Sequence, residues 1–115
     1  MGESFEHAAM EPAADQVKRL QTDVNAFKEA PMLHAEVLGF TDNAECLGAE
    51  CDELSLRRAQ VVYEWLVAHG VPRTNLKAPK GHGSAMPIGS NETEEGRSLN
   101  RRVEVNIIPS SYPDY

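Results

Sequence analysis

Arg58 constrains the fold of this chain more than any other residue, because it falls within the apolar face of its clearest helical pattern. Read as a helix from about Glu53 to His69 at about 100° per residue, the segment places Leu54, Ala59, Val61, Val62, Trp65 and Leu66 on one broad arc that also holds Arg58. Arg57 falls at the edge of the arc beside Gln60 and Glu64, where a long basic side chain can reach water. A guanidinium is never deprotonated in practice. Buried, it needs a carboxylate, a cluster of carbonyls or a bound anionic ligand. Any fold for this chain must therefore bring an anion to the inner face of that helix.

The rest of the sequence limits what can be built around it. A chain of 115 residues, 41% of them hydrophobic, supports one core and one domain. Pro12 suits the first turn of a helix in which Ala13, Val17, Leu20, Val24 and Phe27 repeat at spacings of four and three, and Pro31 stops it. The stripe is too short for a coiled coil and reads as a face packed on a core. Leu33 to Phe40 reads as a strand closed by the turn at Thr41 and Asp42. Gly70 and Pro72 end the second helix. Residues 75–80 form a weak strand candidate, residues 81–100 a long polar loop, and Val103 to Ile108 a final strand. Phe5 fits a stub of an earlier strand, and residues 109–115, with two prolines, read as a frayed tail. This order favours an α/β (α+β) sandwich: a small mixed sheet in a βαβαβ arrangement, with two main helices packed on one face.

Charge and composition narrow the function. Eleven Lys and Arg are outnumbered by eighteen Asp and Glu, for a net charge of −7, which disfavours nucleic acid as a partner. No stretch approaches the roughly 18 apolar residues that a membrane span requires, and the acidic N-terminus does not resemble a secretory signal. Cys46 and Cys51 lie close together in a loop. A disulfide closing a short ring is the leading reading and implies an oxidising compartment; two free thiols are an alternative. Zinc would need further ligands, for which only the scattered His34, His69 and His82 are available, so no metal site is expected.

Asp42 is the natural partner for Arg58. It ends a strand sixteen residues before the arginine, and strand ends facing helix starts are where ligands collect in open sheets. A carboxylate and a guanidinium held close together suit a ligand with both an ammonium and a carboxylate, such as an amino acid backbone. A hydrolase using Asp42 with Glu45, Glu50 or His82 is an alternative, although no carboxylate pair with divergent pKa values is apparent.

Several ordered motifs carry a resemblance. Thr41 and Asp42, the run Leu54 to Ala59 (LSLRRA), Gly70 and Val71, Gly81 to Gly83 (GHG) with Pro87, the run Asn91 to Arg97 (NETEEGR) and the run Asn100 to Glu104 (NRRVE) together resemble the peptidoglycan-binding OmpA-like domain of outer-membrane porins, peptidoglycan-associated lipoproteins and flagellar stator proteins. The match runs from about Phe5 to Ile108. The resemblance implies a periplasmic, non-enzymatic domain of an outer-membrane or envelope-anchored protein, without catalytic residues or cofactors. Its partner would be peptidoglycan, alongside envelope proteins, and the domain itself would not insert into the membrane. It implies that Asp42 takes the ammonium of meso-diaminopimelate and Arg58 the carboxylate on the same carbon, with Thr41 and Leu54 lining the pocket and Arg101 as a further contact. For Arg101 the alternative is a surface ion pair with Glu94 or Glu95. The chain departs from the pattern at Phe40, where histidine is common, and at Cys51 or Asp52, where an asparagine is common. Near the N-terminus Phe5 to Ala8 (FEHA) replaces the usual FDSA, and the short lead-in suggests a domain cut from a longer protein. A scaffold that kept the fold and lost the ligand is the remaining alternative.

Overall fold

Alternation in His34–Gly39 makes strand β2, with the compact Ala35, Val37 and Gly39 turned to one buried face and the larger His34, Glu36 and Leu38 to the other. The computed structural model describes Gly2–Ser4 and residues 17–108. The described elements are strand β1 (Gly2–Ser4), helix α1 (Val17–Glu29), β2, helix α2 (Ala49–Ala68), a 3₁₀ turn (Arg73–Asn75), strand β3 (Lys80–Gly81), helix α3 (Glu94–Asn100) and strand β4 (Arg102–Ile108). The sheet order is β1-β4-β2-β3. β4 runs antiparallel to both β1 and β2, with Val37 opposite Val105 and Gly39 opposite Val103, whereas β3 is parallel to β2. The mixed sheet agrees with the expected α/β sandwich.

One core joins both long helices to one face of the sheet. Leu20, Val24 and Phe27 of α1 and Ala59, Val62 and Leu66 of α2 pack with Ala35, Val37, Val103 and Val105. Each buried Val, Leu or Phe side chain among them contributes about 1.5–3 kcal/mol relative to exposure. The buried face of α2 is centred on Ser55, Ala59, Val62 and Leu66, so Leu54, Val61 and Trp65 are half-buried at its margins. Arg58 remains inside. The helix ends in a Schellman motif: Gly70, at φ 108°, donates to Val67 O and Val71 N donates to Leu66 O.

Close approach between α2 and the sheet depends on missing side chains. A Cβ on Gly39 would lie 1.8 Å from the Ser55 carbonyl oxygen, and one on Gly81 would lie 2.4 Å from Leu56 N. Two glycines from adjacent strands thus let the first half of α2, and Arg58 with it, sit directly against the strand ends. The hydroxyl of Ser55 fixes the contact, donating to Asp52 O and accepting from Gly83 N, both at 2.9 Å.

Three expectations need correction. Residues 75–80 are not a continuous strand: Leu76 bridges Ala35 and Lys77 N donates to Ala35 O, then Pro79, which has no N–H to give, interrupts the ladder before Lys80. The loop at 81–100 contains α3, whose N-cap Thr93 accepts from Gly96 N at 3.0 Å. Helix α2 begins at Ala49, ahead of Glu53. The expected helix start at Pro12, the Phe5 strand stub and the 109–115 tail lie outside the described residues.

Asp23 on α1 is an exception within the buried face. It is almost fully buried, Oδ2 has no hydrogen-bond partner, and burial pushes its pKa up to about 6. The folded state therefore holds this proton more tightly than the unfolded chain, and stability is lost as pH rises from about 4 through about 6. Asp23→Asn should stabilise the fold by about 1 kcal/mol at pH 7.5 and confer no gain at pH 4, as read from urea unfolding at the two pH values.

Candidate functional site

Where β2 ends, the chain turns through Phe40, Thr41 and Asp42 beneath the first half of α2, and two buried arginines reach this turn from different elements. Arg58 comes from α2 and is 0% exposed. Its Nη1 donates to Phe40 O at 3.1 Å and to Glu45 Oε2 at 2.7 Å, and its Nη2 donates to Glu45 Oε1 at 2.5 Å. The two-pronged pairing, with both side chains fully buried, is the geometry in which a guanidinium–carboxylate pair is strongest. The anion anticipated for Arg58 is thus a carboxylate of the following loop, but it belongs to Glu45 and not to Asp42.

Asp42 is also 0% exposed and faces the second arginine. Its Oδ1 accepts from Ala44 N and Glu45 N, both at 2.8 Å, and its Oδ2 accepts from Arg101 Nη1 at 2.9 Å. Burial alone would raise the Asp42 pKa. The Arg101 hydrogen bond and the two backbone N–H groups outweigh it and hold the carboxyl below the usual range. Arg101 is 1% exposed and also grips Glu94 through both terminal nitrogens, at 3.2 and 2.7 Å. The surface pairing considered for Arg101 is corrected accordingly: the pairing with Glu94 exists, but the arginine is buried and bridges it to Asp42. Its neighbour Arg102 instead pairs with Glu104, donates to Met86 O and lies 3.8 Å over the Phe40 ring.

The two ionic centres share a backbone turn. Glu45 N donates to Asp42 Oδ1 while Asp42 N donates to Glu45 Oε2 at 3.1 Å, the reciprocal arrangement of a capping box. Glu45 Oε2 thereby touches both the Asp42 backbone and the Arg58 guanidinium. Cys46, the next residue, is bonded to Cys51 in α2, with a Cα–Cα distance of 5.2 Å. The disulfide ties the turn to the helix that carries Arg58.

Polar packing holds Arg101 in place. Asn100, fully buried, accepts from Ile88 N and Gly89 N and donates to Gly89 O and Asn91 Oδ1 at 2.7–3.0 Å. Arg97 Nη1 donates to Asn91 O. The loop before α3 is thus fastened to the end of α3, one residue from Arg101. These bonds give the NETEEGR and NRRVE runs a structural reason.

Of the other sequence candidates, Thr41 lies in the turn. Its N–H donates to Gly83 O, and its buried Oγ1 has no hydrogen-bond partner. Leu54 is half-buried one helical turn before Arg58, lining a depression with Glu50, Glu53 and Arg57. Arg57 is exposed and paired with Glu53, as its position on the helix suggested. His82 stacks on Phe40, and Glu50 is exposed in the first turn of α2, so neither joins Asp42 and Glu45. His69 stacks on Trp65 at the other end of α2. Glu45, which sequence reasoning had considered only as an acid or base, is the residue it missed as a partner. Its signal was the Asp-x-x-Glu spacing to Asp42.

Fold and site together define a small α/β sandwich with paired buried charges where a strand end meets a helix. Residues 5–101 match the OmpA family, and the chain belongs to that family. It is 42% identical over 80 residues to "Peptidoglycan-binding protein ArfA" of Mycobacterium tuberculosis, an alignment covering 70% of this chain and 24% of the relative. Among solved structures it resembles the C-terminal domain of Helicobacter pylori MotB, with TM-score 0.85, 28% identity and coverage of 96% of this chain and 86% of that one. The fold is also that of the peptidoglycan-associated lipoprotein from Burkholderia pseudomallei, with TM-score 0.85, 21% identity and coverage of 93% and 89%.

Asp42→Asn would leave Arg101 without the buried carboxylate it holds at 2.9 Å. It should cost about 2–4 kcal/mol at pH 7 in urea unfolding, against a much smaller loss for Glu94→Ala, whose side chain is largely exposed. Because the folded-state pKa of Asp42 is depressed, its contribution is present above about pH 4 and lost as pH falls below that. The gap between wild type and Asp42→Asn should therefore close toward pH 3.

Proposed function

We propose that this domain is a non-enzymatic module that binds cell-wall peptidoglycan non-covalently. It does so by holding the zwitterionic end of meso-diaminopimelate in the stem peptide, and it anchors an envelope protein to the wall. The observation that carries this reading is the placement of two opposite charges, Asp42 on the turn after β2 and Arg58 on α2, both fully buried and both bonded to Glu45. Arg58 presents a planar fork that matches a carboxylate. Asp42 is held ionised by Arg101 and by two backbone N–H groups, the state needed to accept an ammonium. A lysine side chain offers an ammonium without the carboxylate on the same carbon, so the pair discriminates in favour of diaminopimelate.

In this reading Arg101 is a positioning residue, keeping Asp42 charged and oriented from its buried site. Thr41 offers an unspent hydroxyl beside Asp42, and Leu54 supplies an apolar wall one turn from Arg58. The name of the mycobacterial relative supports the ligand class. The disulfide supports an oxidising compartment, consistent with the periplasm. No helix among the described residues is long and apolar enough to cross a membrane. Asp42, held ionised by a buried arginine, is unsuited to the general-acid role that a hydrolase would need.

Retention on purified sacculi tests the reading. Wild type should co-sediment with diaminopimelate-containing sacculi, bind lysine-type sacculi far more weakly and release no muropeptides. Arg58→Glu should reduce retention to background. Arg58→Lys, which keeps the charge and loses the fork, should weaken it about tenfold, and Arg57→Ala should leave it unchanged. Undiminished retention in a folded Arg58→Glu protein would remove this site from consideration.

A further inference from the structure

A receptor whose two charges have no exposed surface is closed, and the group closing it has the chemistry of the ligand. Glu45 places a carboxylate on the Arg58 fork at 2.7 and 2.5 Å, with its side chain fully buried. Building on the proposed function, we propose that Glu45 is an internal stand-in for the wall-peptide carboxylate. It occupies Arg58 in the free protein and must swing away when peptidoglycan binds, so that it sets the affinity of the site.

The surrounding turn suits such an exchange. Asn43 and Ala44 before Glu45 are exposed, as are Leu47, at 76%, and Gly48 after it, so the segment carrying the buried carboxylate lies at the surface. Gly48 adopts φ 54°, a conformation that places few demands on glycine. The disulfide from Cys46 to Cys51 limits how far Glu45 can move, because it ties the next residue to α2. Displacement is therefore confined to the Glu45 side chain, with the Ala44 and Glu45 N–H groups staying on Asp42 Oδ1. Asp42 need not move with it: its Oδ2 is fixed by Arg101, and Arg101 in turn by Glu94.

The energetics favour exchange over simple opening. A buried guanidinium left alone is heavily penalised, whereas trading one buried carboxylate for another leaves its charge neutralised throughout. Binding then costs the capping-box hydrogen bond from Asp42 N and the dehydration of the ligand carboxylate, which hydration of the released glutamate offsets, and gains the ammonium at Asp42. A diacid without the ammonium would gain nothing over Glu45 itself. The competitor thus sharpens selection against carboxylates that lack the ammonium, as well as lowering affinity.

Calorimetric titration of wild type, Glu45→Gln and Glu45→Asp with meso-diaminopimelate tests the exchange. The Gln variant removes the competing charge, and the Asp variant withdraws it by one methylene while keeping the net charge, so Asp serves if Gln does not fold. Either should bind about tenfold tighter than wild type, as expected if the open state of the wild type is populated at about one part in ten. A folded variant that binds no tighter than wild type would overturn the stand-in role and leave Glu45 as a structural capping-box residue. Failure of wild type and variants alike to bind diaminopimelate and sacculi would instead sink the proposed function. In that case thermal unfolding of Glu45→Ala judges the stand-in independently. Acetate should raise its Tm more than chloride at equal ionic strength and more than in wild type, and equal effects of the two anions would overturn the proposal.

Discussion

The guanidinium of Arg58 is a permanent cation without exposed surface, and the geometry where β2 meets α2 is organised around neutralising it. Its helix can approach the sheet only because Gly39 and Gly81 present no side chains there. Once it has approached, Phe40 contributes a carbonyl and the turn after β2 contributes the Glu45 carboxylate. Each partner is close in space and far from its neighbours in kind: a strand end, a loop and a helix. The cost of an unpaired buried charge, several kcal/mol, exceeds what any single apolar contact in this core contributes, so the junction has little freedom to assemble otherwise.

The second ionic centre is coupled to the first through three residues of backbone. Asp42 takes N–H groups from Ala44 and Glu45 and a guanidinium from Arg101, while Glu45 takes the Asp42 N–H and the Arg58 guanidinium. Moving either carboxylate disturbs a hydrogen bond of the other. Asn100 and the loop at 88–91 then extend the restraint outward to α3. A polar network of this kind is stabilising only when its members are satisfied, and here the exceptions are few and local. Thr41 Oγ1, at the turn itself, is one of them.

Much of this was legible in the sequence because burial leaves a periodic trace. The α1 stripe of Leu20, Val24 and Phe27, the β2 alternation and the β4 run were readable for that reason, and the same periodicity placed Arg58 inside and Arg57 at the edge. What lacked apolar periodicity was misread. Helix α3 is held by Thr93 capping and by the polar side chain of Asn100, so a composition rich in Gly, Ser, Asn and Glu looked like a loop. The pairing of charges was harder still. Chain order suggested Asp42 for Arg58, but which of two carboxylates three residues apart meets which of two arginines depends on tertiary packing. Only the Asp-x-x-Glu spacing hinted that both would be fixed on one turn.

That division of partners bears on how the proposed receptor reconciles stability with selectivity. An empty site made of one bare cation and one bare anion, both buried, would impose two desolvation penalties on the fold, whereas here each charge has an internal counter-ion and the domain can fold without a ligand. The two counter-ions differ in how firmly they are held. Arg101 is anchored by Glu94 as well as Asp42 and approached through the stapled end of α3, while Glu45 sits on a turn whose neighbouring residues face solvent. The asymmetry matches what a zwitterion requires. Its ammonium can be added beside an Asp42 that stays charged and in place, but its carboxylate can reach Arg58 only where another carboxylate leaves. Rejection of a carboxylate that carries no ammonium follows, since the carboxylate exchange alone is nearly balanced.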